Sequence, residues 1–321
     1  MIKNYIFSTG SYLPKRILSN NTLALQVDTN DQWIRQRTGI TQRHIANTEE
    51  YTSDLAVHAA RNAIDKAKIT VSDINLIIIA TTTPDKTLPS CASIVQNKLQ
   101  CYNACAFDIQ AACSGFIYAM TIADSYMRYN DNIKYALVIG AETMSRIVDW
   151  QDRATCILFG DGAGAVIMKS HASNKTYQGI ISTSLYSDGE IDILYTNGGI
   201  SSTGTAGKIC MNGRKVFQYA VDKLTSLIND TLQFNNLNVH DIKWLIPHQA
   251  NTRIIDAIVK EAKFPREKVI QTVEKHANTS SASIPLAFDH AIQEAKIQRG
   301  DLILLIAIGA GLSWGSVLLR Y

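Results

Sequence analysis

The sequence predicts an α/β protein in which strands alternate with helices and each sheet is covered on both faces. From residue 53 onward, short apolar runs alternate with longer segments of helical periodicity. The same order of elements begins again near residue 211, and the octapeptide 239–246 aligns with 71–78. We interpret these observations as an internal duplication of one strand-and-helix unit.

The first pass of this pattern covers the N-terminal half. A strand at 3–8 and two short polar helices at 21–27 and 31–37 are expected to precede it. The regular part then predicts helices at 53–68, 89–99 and 114–129 and strands at 75–81, 104–109 and 135–140. The strand that ends at Ile109 is expected to be buried.

The second pass covers the C-terminal half. It predicts helices at 214–234, 251–263 and 281–295 and strands at 243–247, 302–308 and 315–321. We therefore expect two pseudo-duplicated halves, 1–175 and 176–321, which meet along a stretch rich in Gly, Ser and Thr at 153–213. Six prolines and no low-complexity tract argue against a flexible linker between them.

Composition narrows the class of protein. With 321 residues and 46% hydrophobic residues the chain can bury a large core. A net charge of +3 from scattered basic residues argues against nucleic acid as a partner. The longest apolar run, 302–311, is half of the ~20 residues that a membrane helix needs. Six cysteines without a CxxC pair and no export leader predict reduced thiols in a cytoplasmic protein without structural zinc.

Cys113 lies at a predicted junction between a strand and a helix. The free N–H groups and the positive dipole end of a helix favour thiolate, the nucleophilic form of cysteine. Its neighbours 111–115 are small, so that a substrate has room to approach the sulfur. Alternatively, Cys113 is a small apolar core residue, as most free cysteines are, and the local sequence leaves both interpretations open.

Two further polar side chains follow predicted strands or begin predicted helices. His248 stands at the carboxyl end of a buried strand, where open α/β sheets place their ligand sites. Asn278 lies in a small polar loop before the helix at 281–295. A structural histidine and a turn or cap asparagine are the competing interpretations.

The glycine-rich run at 309–315 and Trp33 also have two interpretations each. The run 309–315 brings backbone N–H groups close to a ligand as an oxyanion site, or it is a tight hairpin. The run 159–165 lacks the GxGxxG spacing of a dinucleotide loop. Trp33, flanked by Arg35 and Arg37, stacks on a planar ligand or covers a helix end.

Five motifs occur in a fixed order along the chain: ACSGF at 112–116, FGDGAGA at 159–165, PHQAN at 247–251, NTS at 278–280 and the segment 309–315. In this order, together with the stretch 33–40, they resemble the beta-ketoacyl-acyl-carrier-protein synthase III family. This family comprises condensing enzymes that initiate type II fatty-acid synthesis. The resemblance spans the whole chain.

The resemblance implies a thiolase-like fold, with two duplicated halves in a five-layered α-β-α-β-α arrangement, and a homodimer. It implies a catalytic triad of Cys113, His248 and Asn278, with the backbone N–H groups of Cys113 and Ala310 as the oxyanion hole. The implied reaction is decarboxylative Claisen condensation of an acyl-CoA starter, expected to be acetyl-CoA, with malonyl-acyl-carrier protein. The products are 3-ketoacyl-acyl-carrier protein, CoA and CO2, and no metal or other cofactor is required.

The same resemblance implies the binding residues. A CoA site is expected at Thr29, Trp33, Arg37, Arg153, Phe217 and Asn251. Carrier-protein docking is expected at Gln249, Ala250, Asn251, Thr252 and Arg253, with Lys260 nearby. Leu88 stands where acetyl-preferring relatives commonly carry a Phe that closes the acyl pocket across the dimer, so the starter chain length stays open.

Two alternatives accompany this assignment. A related condensing or acyl-transferring enzyme of a secondary pathway would keep Cys113 and use another second substrate. A non-catalytic module that binds CoA or carrier protein would have no need for the thiol, the imidazole and the amide together.

Overall fold

Two sheets organise the chain in the computed structural model, which describes residues 3–171 and 179–321. The described strands are β1 (Lys3–Tyr12), β2 (Arg16–Ser19), β3 (Gln42–Ile45), β4 (Leu76–Ala80), β5 (Cys105–Ile109), β6 (Tyr135–Thr143), β7 (Asp161–His171), β8 (Gly179–Ser187), β9 (Leu194–Thr196), β10 (Ile209–Met211), β11 (Trp244–Pro247), β12 (Leu302–Gly309) and β13 (Ser313–Arg320). The described helices are α1 (Asn20–Leu23), α2 (Asp31–Thr38), α3 (Thr52–Ala67), α4 (Cys91–Leu99), α5 (Gly115–Tyr129), α6 (Arg153–Cys156), α7 (Ile200–Thr203), α8 (Gly213–Phe234), α9 (Thr252–Glu261), α10 (Val273–His276) and α11 (Ser283–Gln293).

Both sheets mix parallel and antiparallel pairs. The first has the strand order β1-β7-β6-β4-β5, with β4 parallel to β5 and β6 and with β7 antiparallel to β6 and β1. The second has the order β11-β12-β13-β8, and only β11 and β12 are parallel in it. The carboxyl ends of β5, β11 and β12 lead into three of the segments that carry the candidate site, those of Cys113, His248 and Ala310.

The alternation of side chains along the strands shows how the layers stack. Leu76, Ile78 and Ala80 of β4 share a core with α5 and α11, whereas Ile77 and Ile79 share the core of α3 and α4. Because both faces are buried, the strand is apolar throughout instead of alternating with polar residues.

The second sheet shares the same central helices. Alternate residues of β12 (Ile303, Leu305 and Ala307) join the core of α5 and α11, and the residues between them join the core of α8 and α9. The layers are therefore α3 and α4, the first sheet, α5 and α11, the second sheet, and α8 and α9. This is the five-layered arrangement that the sequence analysis expected.

The structure differs from the expected strands at two places. The glycine-rich run at 159–165, to which the sequence analysis assigned no strand, runs into β7 at Asp161. A Cβ atom on Gly164 would lie 2.6 Å from the backbone nitrogen of Leu286, so this glycine allows α11 to approach the sheet. The strand β5 is not buried but exposed or half-buried, because it lies at the edge of its sheet.

Gly140 lies where the first sheet meets the backbone of the turn Ser280–Ala282. A Cβ atom there would lie 2.8 Å from the carbonyl carbon of Ser281 and closer still to its oxygen. We expect Gly140→Ala to lower the free energy of unfolding by about 2–3 kcal/mol, because the backbone must shift to admit the methyl group. Chemical denaturation measures the change.

Gly189→Ala is the matched control, because a Cβ atom on Gly189 has nothing within 4 Å. Equal stability of the two variants would contradict the close packing described here.

Candidate active site

Cys113 lies in a short 3-10 turn, Ala112–Ser114, which joins the end of β5 to α5. Its side chain is 7% exposed and lines a cavity of about 340 Å³. Ala112 has φ 45°, a left-handed conformation that costs a non-glycine residue about 1–3 kcal/mol. Such strain next to a nucleophile is typical of functional sites, and the surrounding packing maintains it.

The end of β12 touches the backbone of this turn. A Cβ atom on Gly309 would lie 2.6 Å from the nitrogen of Cys113, so only glycine fits there. The Ser114 hydroxyl is 2.7 Å from the Ser313 hydroxyl, which also donates to the carbonyl of Ala111 at 3.2 Å. The segment that carries Ala310 is thereby held against the nucleophile, and Ala310 lines the same cavity.

The cavity is mostly apolar away from the thiol. Its wall includes Met144, Phe159, Leu194 and Ile209, and its polar lining residues include Gln110. A channel of this composition accepts a flexible chain with few charges.

Burial raises the pKa of the Cys113 thiol to about 12. The Ser280 hydroxyl nearby lowers this pKa, and the negative charge of Glu142 raises it. Desolvation therefore opposes the effect of the helix end, which favours the thiolate.

His248 follows β11 directly and is buried. Its backbone N–H donates to the carbonyl of Ile306 at 2.8 Å, which fixes it beside β12. The ring nitrogen Nδ1 lies 2.7 Å from Oγ of Ser283. Burial lowers the pKa of His248 to about 3, so the imidazole is neutral throughout the physiological range.

Asn278 is held by its backbone and by its own side chain. Its N–H donates to the carbonyl of Leu158 at 2.9 Å, and its carbonyl accepts from the N–H of Gly160 at 3.0 Å. The side-chain oxygen Oδ1 accepts from the N–H of Ser280 at 2.9 Å. The amide NH2 group therefore points away from this contact as the donor end of the side chain.

The turn Ser280–Ala282 and the first residue of α11 connect the three predicted side chains. Ser280 lines the cavity together with Cys113 and bonds Asn278, and Ser283 bonds His248. His248 and Asn278 themselves lie outside the described lining of the cavity. The three residues are thus linked through one turn, whereas only the thiol faces the open space directly.

Glu142 is a residue of the site that the sequence analysis missed. It is fully buried, and Oε2 accepts from the Thr83 hydroxyl at 2.6 Å and from the Thr82 N–H at 3.1 Å. Oε1 accepts from the hydroxyls of Ser281 at 2.8 Å and Ser280 at 3.2 Å. Burial raises the pKa of Glu142 above its usual value, although the hydrogen bonds from Thr83, Ser281 and Thr82 act to lower it. A glutamate inside the apolar strand β6 was the available signal.

The side chains expected to hold the CoA nucleotide, Trp33, Arg37 and Arg153, lie against one another. The Arg153 guanidinium lies 4.9 Å from the centroid of the Trp33 ring, and that of Arg37 lies 5.6 Å from it. A planar ring between Arg153 and Trp33 needs about 7 Å, two van der Waals contacts. Thr29 is half-buried nearby in sequence, and its hydroxyl has no partner among the described residues.

The remaining predicted CoA residues have diverse surroundings. Phe217 is half-buried on α8 and packs against the outer core. Asn251 caps α9, since its side chain accepts from the Ile254 N–H at 2.9 Å. Leu88 is 83% exposed and lies outside the described cavity lining.

Gln249, the first residue of the expected docking segment, is anchored by its side chain. Gln249 is 1% exposed, and its side chain bonds Pro247, Ile270, Thr272 and Val273. It therefore fixes the local backbone at the start of this segment.

The other residues of the docking segment reach the surface to different degrees. Ala250 and Thr252 are half-buried, and Arg253 and Lys260 are exposed on α9.

Two general findings concern the described part of the chain. No group of three or more His, Cys, Asp or Glu side chains there is arranged to hold a metal ion. None of the helices in residues 3–171 and 179–321 has the length and apolar character needed to cross a bilayer.

The raised pKa of Cys113 predicts how its reactivity depends on pH. Well below a pKa of about 12, the thiolate fraction grows tenfold with each pH unit. We expect the rate of iodoacetamide alkylation at Cys113 to rise about tenfold per unit from pH 7 to 9. Peptide mass mapping separates this site from the exposed Cys105, and a plateau below pH 8 would contradict the burial effect.

Comparison with known proteins identifies the family of the chain. The model described as 3-Oxoacyl-[acyl-carrier-protein (ACP)] synthase III matches residues 107–189, and that for the C terminal part of the same family matches residues 232–321. A protein of Wolbachia pipientis wMel named beta-ketoacyl-[acyl-carrier-protein] synthase III is 70% identical over 321 residues, which is all of both chains. Its namesake from Ehrlichia ruminantium (strain Gardel) is 52% identical over the same full length.

Solved structures confirm the thiolase-like fold. The 3-oxoacyl-[acyl-carrier-protein] synthase III of Aquifex aeolicus VF5 is 45% identical, with a TM-score of 0.93 over 99% of this chain and 100% of that one. The priming beta-ketosynthase of the R1128 polyketide pathway is 32% identical, with a TM-score of 0.92 over 99% of this chain and 96% of that one. From the full-length identities, this chain belongs to the beta-ketoacyl-[acyl-carrier-protein] synthase III family.

Proposed function

We propose that Cys113, His248 and Asn278 carry out the two half-reactions of a condensing enzyme. As a member of its family the chain is an acyltransferase, and it initiates fatty-acid synthesis by condensing an acyl-CoA with malonyl-acyl-carrier protein. The observation that carries the assignment of residues is the serine turn 280–283, which bonds Asn278 and His248 and lies beside Cys113.

In the first half-reaction the Cys113 sulfur attacks the thioester carbonyl of the acyl-CoA. The new carbon–sulfur bond forms as the carbon–sulfur bond to CoA breaks, and the proton given up by the thiol is balanced by the proton that the departing CoA sulfur takes up. The backbone N–H groups of Cys113 and Ala310 hold the oxyanion. The contact between Gly309 and the Cys113 nitrogen supports this pairing, because it brings the two backbones together.

In the second half-reaction malonyl-carrier protein binds to the acyl-enzyme. His248 and Asn278 donate hydrogen bonds to the malonyl thioester carbonyl, and the enolate forms as CO2 leaves. Its carbanion attacks the acyl group on Cys113 to give the 3-ketoacyl product. Both donors are neutral, so neither repels the developing negative charge.

The CoA nucleotide would bind where Arg153 now covers Trp33. Stacking of adenine on Trp33 requires Arg153 to move outward from its 4.9 Å contact. Arg153 is half-exposed, and its contacts are the carbonyl of Asp28 at 3.0 Å and the Asp28 carboxylate at 3.7 Å. Exposed ion pairs of this kind are weak, which makes the movement inexpensive. Arg37, Thr29, Phe217 and Asn251 complete the proposed CoA site.

Carrier-protein docking is proposed on the exposed side of α9, with the docking segment 249–253 at its N-terminal end. Arg253 and Lys260 there offer positive charge to an acidic partner, and rim charges of this kind mainly speed encounter and orient the partner.

A homodimer is proposed from the edge strand β5. An exposed edge strand presents unpaired backbone groups and favours pairing with another strand. Leu88 is 83% exposed, a large exposure for an apolar side chain, and a partner subunit would cover it. In that position Leu88 would help to close the acyl pocket of the partner subunit and so limit the length of the starter acyl group. The proposed starter is acetyl-CoA.

Three further assignments are proposed on chemical grounds. The thiol, the imidazole and the amide supply the nucleophile and the donors, so no resident cofactor is required. All six cysteines are free thiols, which suits the reducing cytoplasm. The division into halves 1–175 and 176–321 is supported by the strands of the two large sheets, which fall on separate sides of it.

The two half-reactions test the proposed roles separately. We expect His248→Ala and Asn278→Ala to accept radiolabelled acetyl groups from acetyl-CoA but to lose malonyl decarboxylation by about 10²–10³-fold, the effect of removing one such donor. Cys113→Ala is expected to lose acetylation altogether. Acetylation of Cys113→Ala, or undiminished condensation in the other two variants, would refute the assignment.

Trp33→Ala tests the nucleotide end of the CoA site. We expect KM for acetyl-CoA to rise about tenfold with little change in kcat, because stacking on one base is worth about 1–3 kcal/mol. Acetyl-pantetheine, which lacks the adenine, is the control substrate. An equal loss with both substrates would show that Trp33 supports the fold and does not bind the nucleotide.

A further inference from the structure

Ser283, the first residue of α11, makes two hydrogen bonds in the core of the site. Its hydroxyl oxygen accepts from the backbone N–H of Gln249 at 3.3 Å and lies 2.7 Å from Nδ1 of His248. Its side chain is 2% exposed, and that of His248 is 4% exposed. If the hydrogen of this contact belongs to the Ser283 hydroxyl, the imidazole carries its own proton on Nε2 and can donate from there. If the hydrogen belongs to Nδ1, then Nε2 of the neutral ring is an acceptor.

The position of the proton follows from the number of partners. A hydroxyl has one hydrogen and two lone pairs. One lone pair accepts from Gln249, and within the described chain the only acceptor that the Ser283 hydroxyl reaches is Nδ1 of His248. The hydroxyl hydrogen is therefore directed at Nδ1. A neutral ring whose Nδ1 accepts carries its proton on Nε2.

We propose that Ser283 is a positioning residue that holds His248 in the tautomer with hydrogen on Nε2. This deepens the role proposed for His248 and rests on it, because only that tautomer donates to the malonyl thioester carbonyl through Nε2. The opposite tautomer would direct a lone pair at the enolate oxygen and repel it.

The surroundings keep the donor and the acceptor in place. The Gln249 side chain donates to the carbonyls of Pro247 at 2.7 Å and Ile270 at 3.2 Å. It accepts from the N–H groups of Thr272 at 2.8 Å and Val273 at 3.2 Å. With its side chain fixed at four points, Gln249 holds its own backbone N–H toward Ser283. Burial lowers the pKa of His248, so the ring is neutral and its tautomer matters throughout the working pH range.

The effect is confined to one half-reaction. Transfer of the acyl group to Cys113 uses the backbone donors proposed above and needs no particular tautomer of His248. Decarboxylation needs the Nε2 hydrogen. A loss of the tautomer therefore separates the two steps, whereas a general loss of structure would lower both.

The test compares Ser283→Ala with Ser283→Thr in the full-length protein. Threonine keeps the hydroxyl, and Ser316→Ala is the matched control because it removes a buried serine hydroxyl bonded to Thr231 and to no imidazole. Nitrogen-15 chemical shifts of labelled imidazoles report the tautomer directly. Malonyl-carrier-protein decarboxylation and acetylation of Cys113 are measured on the same samples.

We expect His248 to carry its proton on Nε2 in the wild type, in Ser283→Thr and in Ser316→Ala. Ser283→Ala is expected to show a mixture of tautomers and about tenfold slower decarboxylation, with an unchanged rate of acetylation. A wild-type ring with its proton on Nδ1, or an unchanged tautomer in Ser283→Ala, would overturn the inference. A mixed tautomer with undiminished decarboxylation would uphold the control by Ser283 and overturn the proposed role of His248.

Discussion

The hydrogen bonds to the Glu142 carboxylate are the interaction on which the rest of the site depends. The threonine run that follows β4 donates to it from the first half of the chain, and Ser280 and Ser281 donate from the second half. A buried carboxylate without such partners would cost several kcal/mol or more, so the serine turn has little freedom to move away. Because the same turn bonds Asn278 and leads into Ser283, the fixed position of Glu142 extends to the two proposed donors.

Close backbone approach is the second constraint. Gly140 lies beneath the serine turn, Gly164 lies beneath α11, and Gly309 lies against the nitrogen of Cys113. At each of these points the addition of one methyl group would separate two elements that the site needs together. The precision of the site therefore comes from main-chain contact between the halves more than from long side chains.

Much of the architecture is predictable because its pattern is local. The apolar runs of β4 and β12 are continuous since both of their faces are buried, and Cys113 and His248 were placed correctly at strand ends. The missed features depend on contacts between distant parts of the sequence. Glu142 bonds residues about 60 positions earlier and 139 positions later, and no local pattern records that pairing. Gly164 looks like a loop residue until α11 is placed against it.

The contact between Arg153 and Trp33 has a consequence for the enzyme before substrate arrives. An uncovered indole face is an exposed apolar surface to which flat apolar molecules bind nonspecifically. The guanidinium shields that face and, among the described residues, is held by a surface carbonyl and a weak ion pair of Asp28. At the proposed CoA site a ligand would have to displace this shield, which would favour compounds that use both the indole and the liberated positive charge over purely hydrophobic ones.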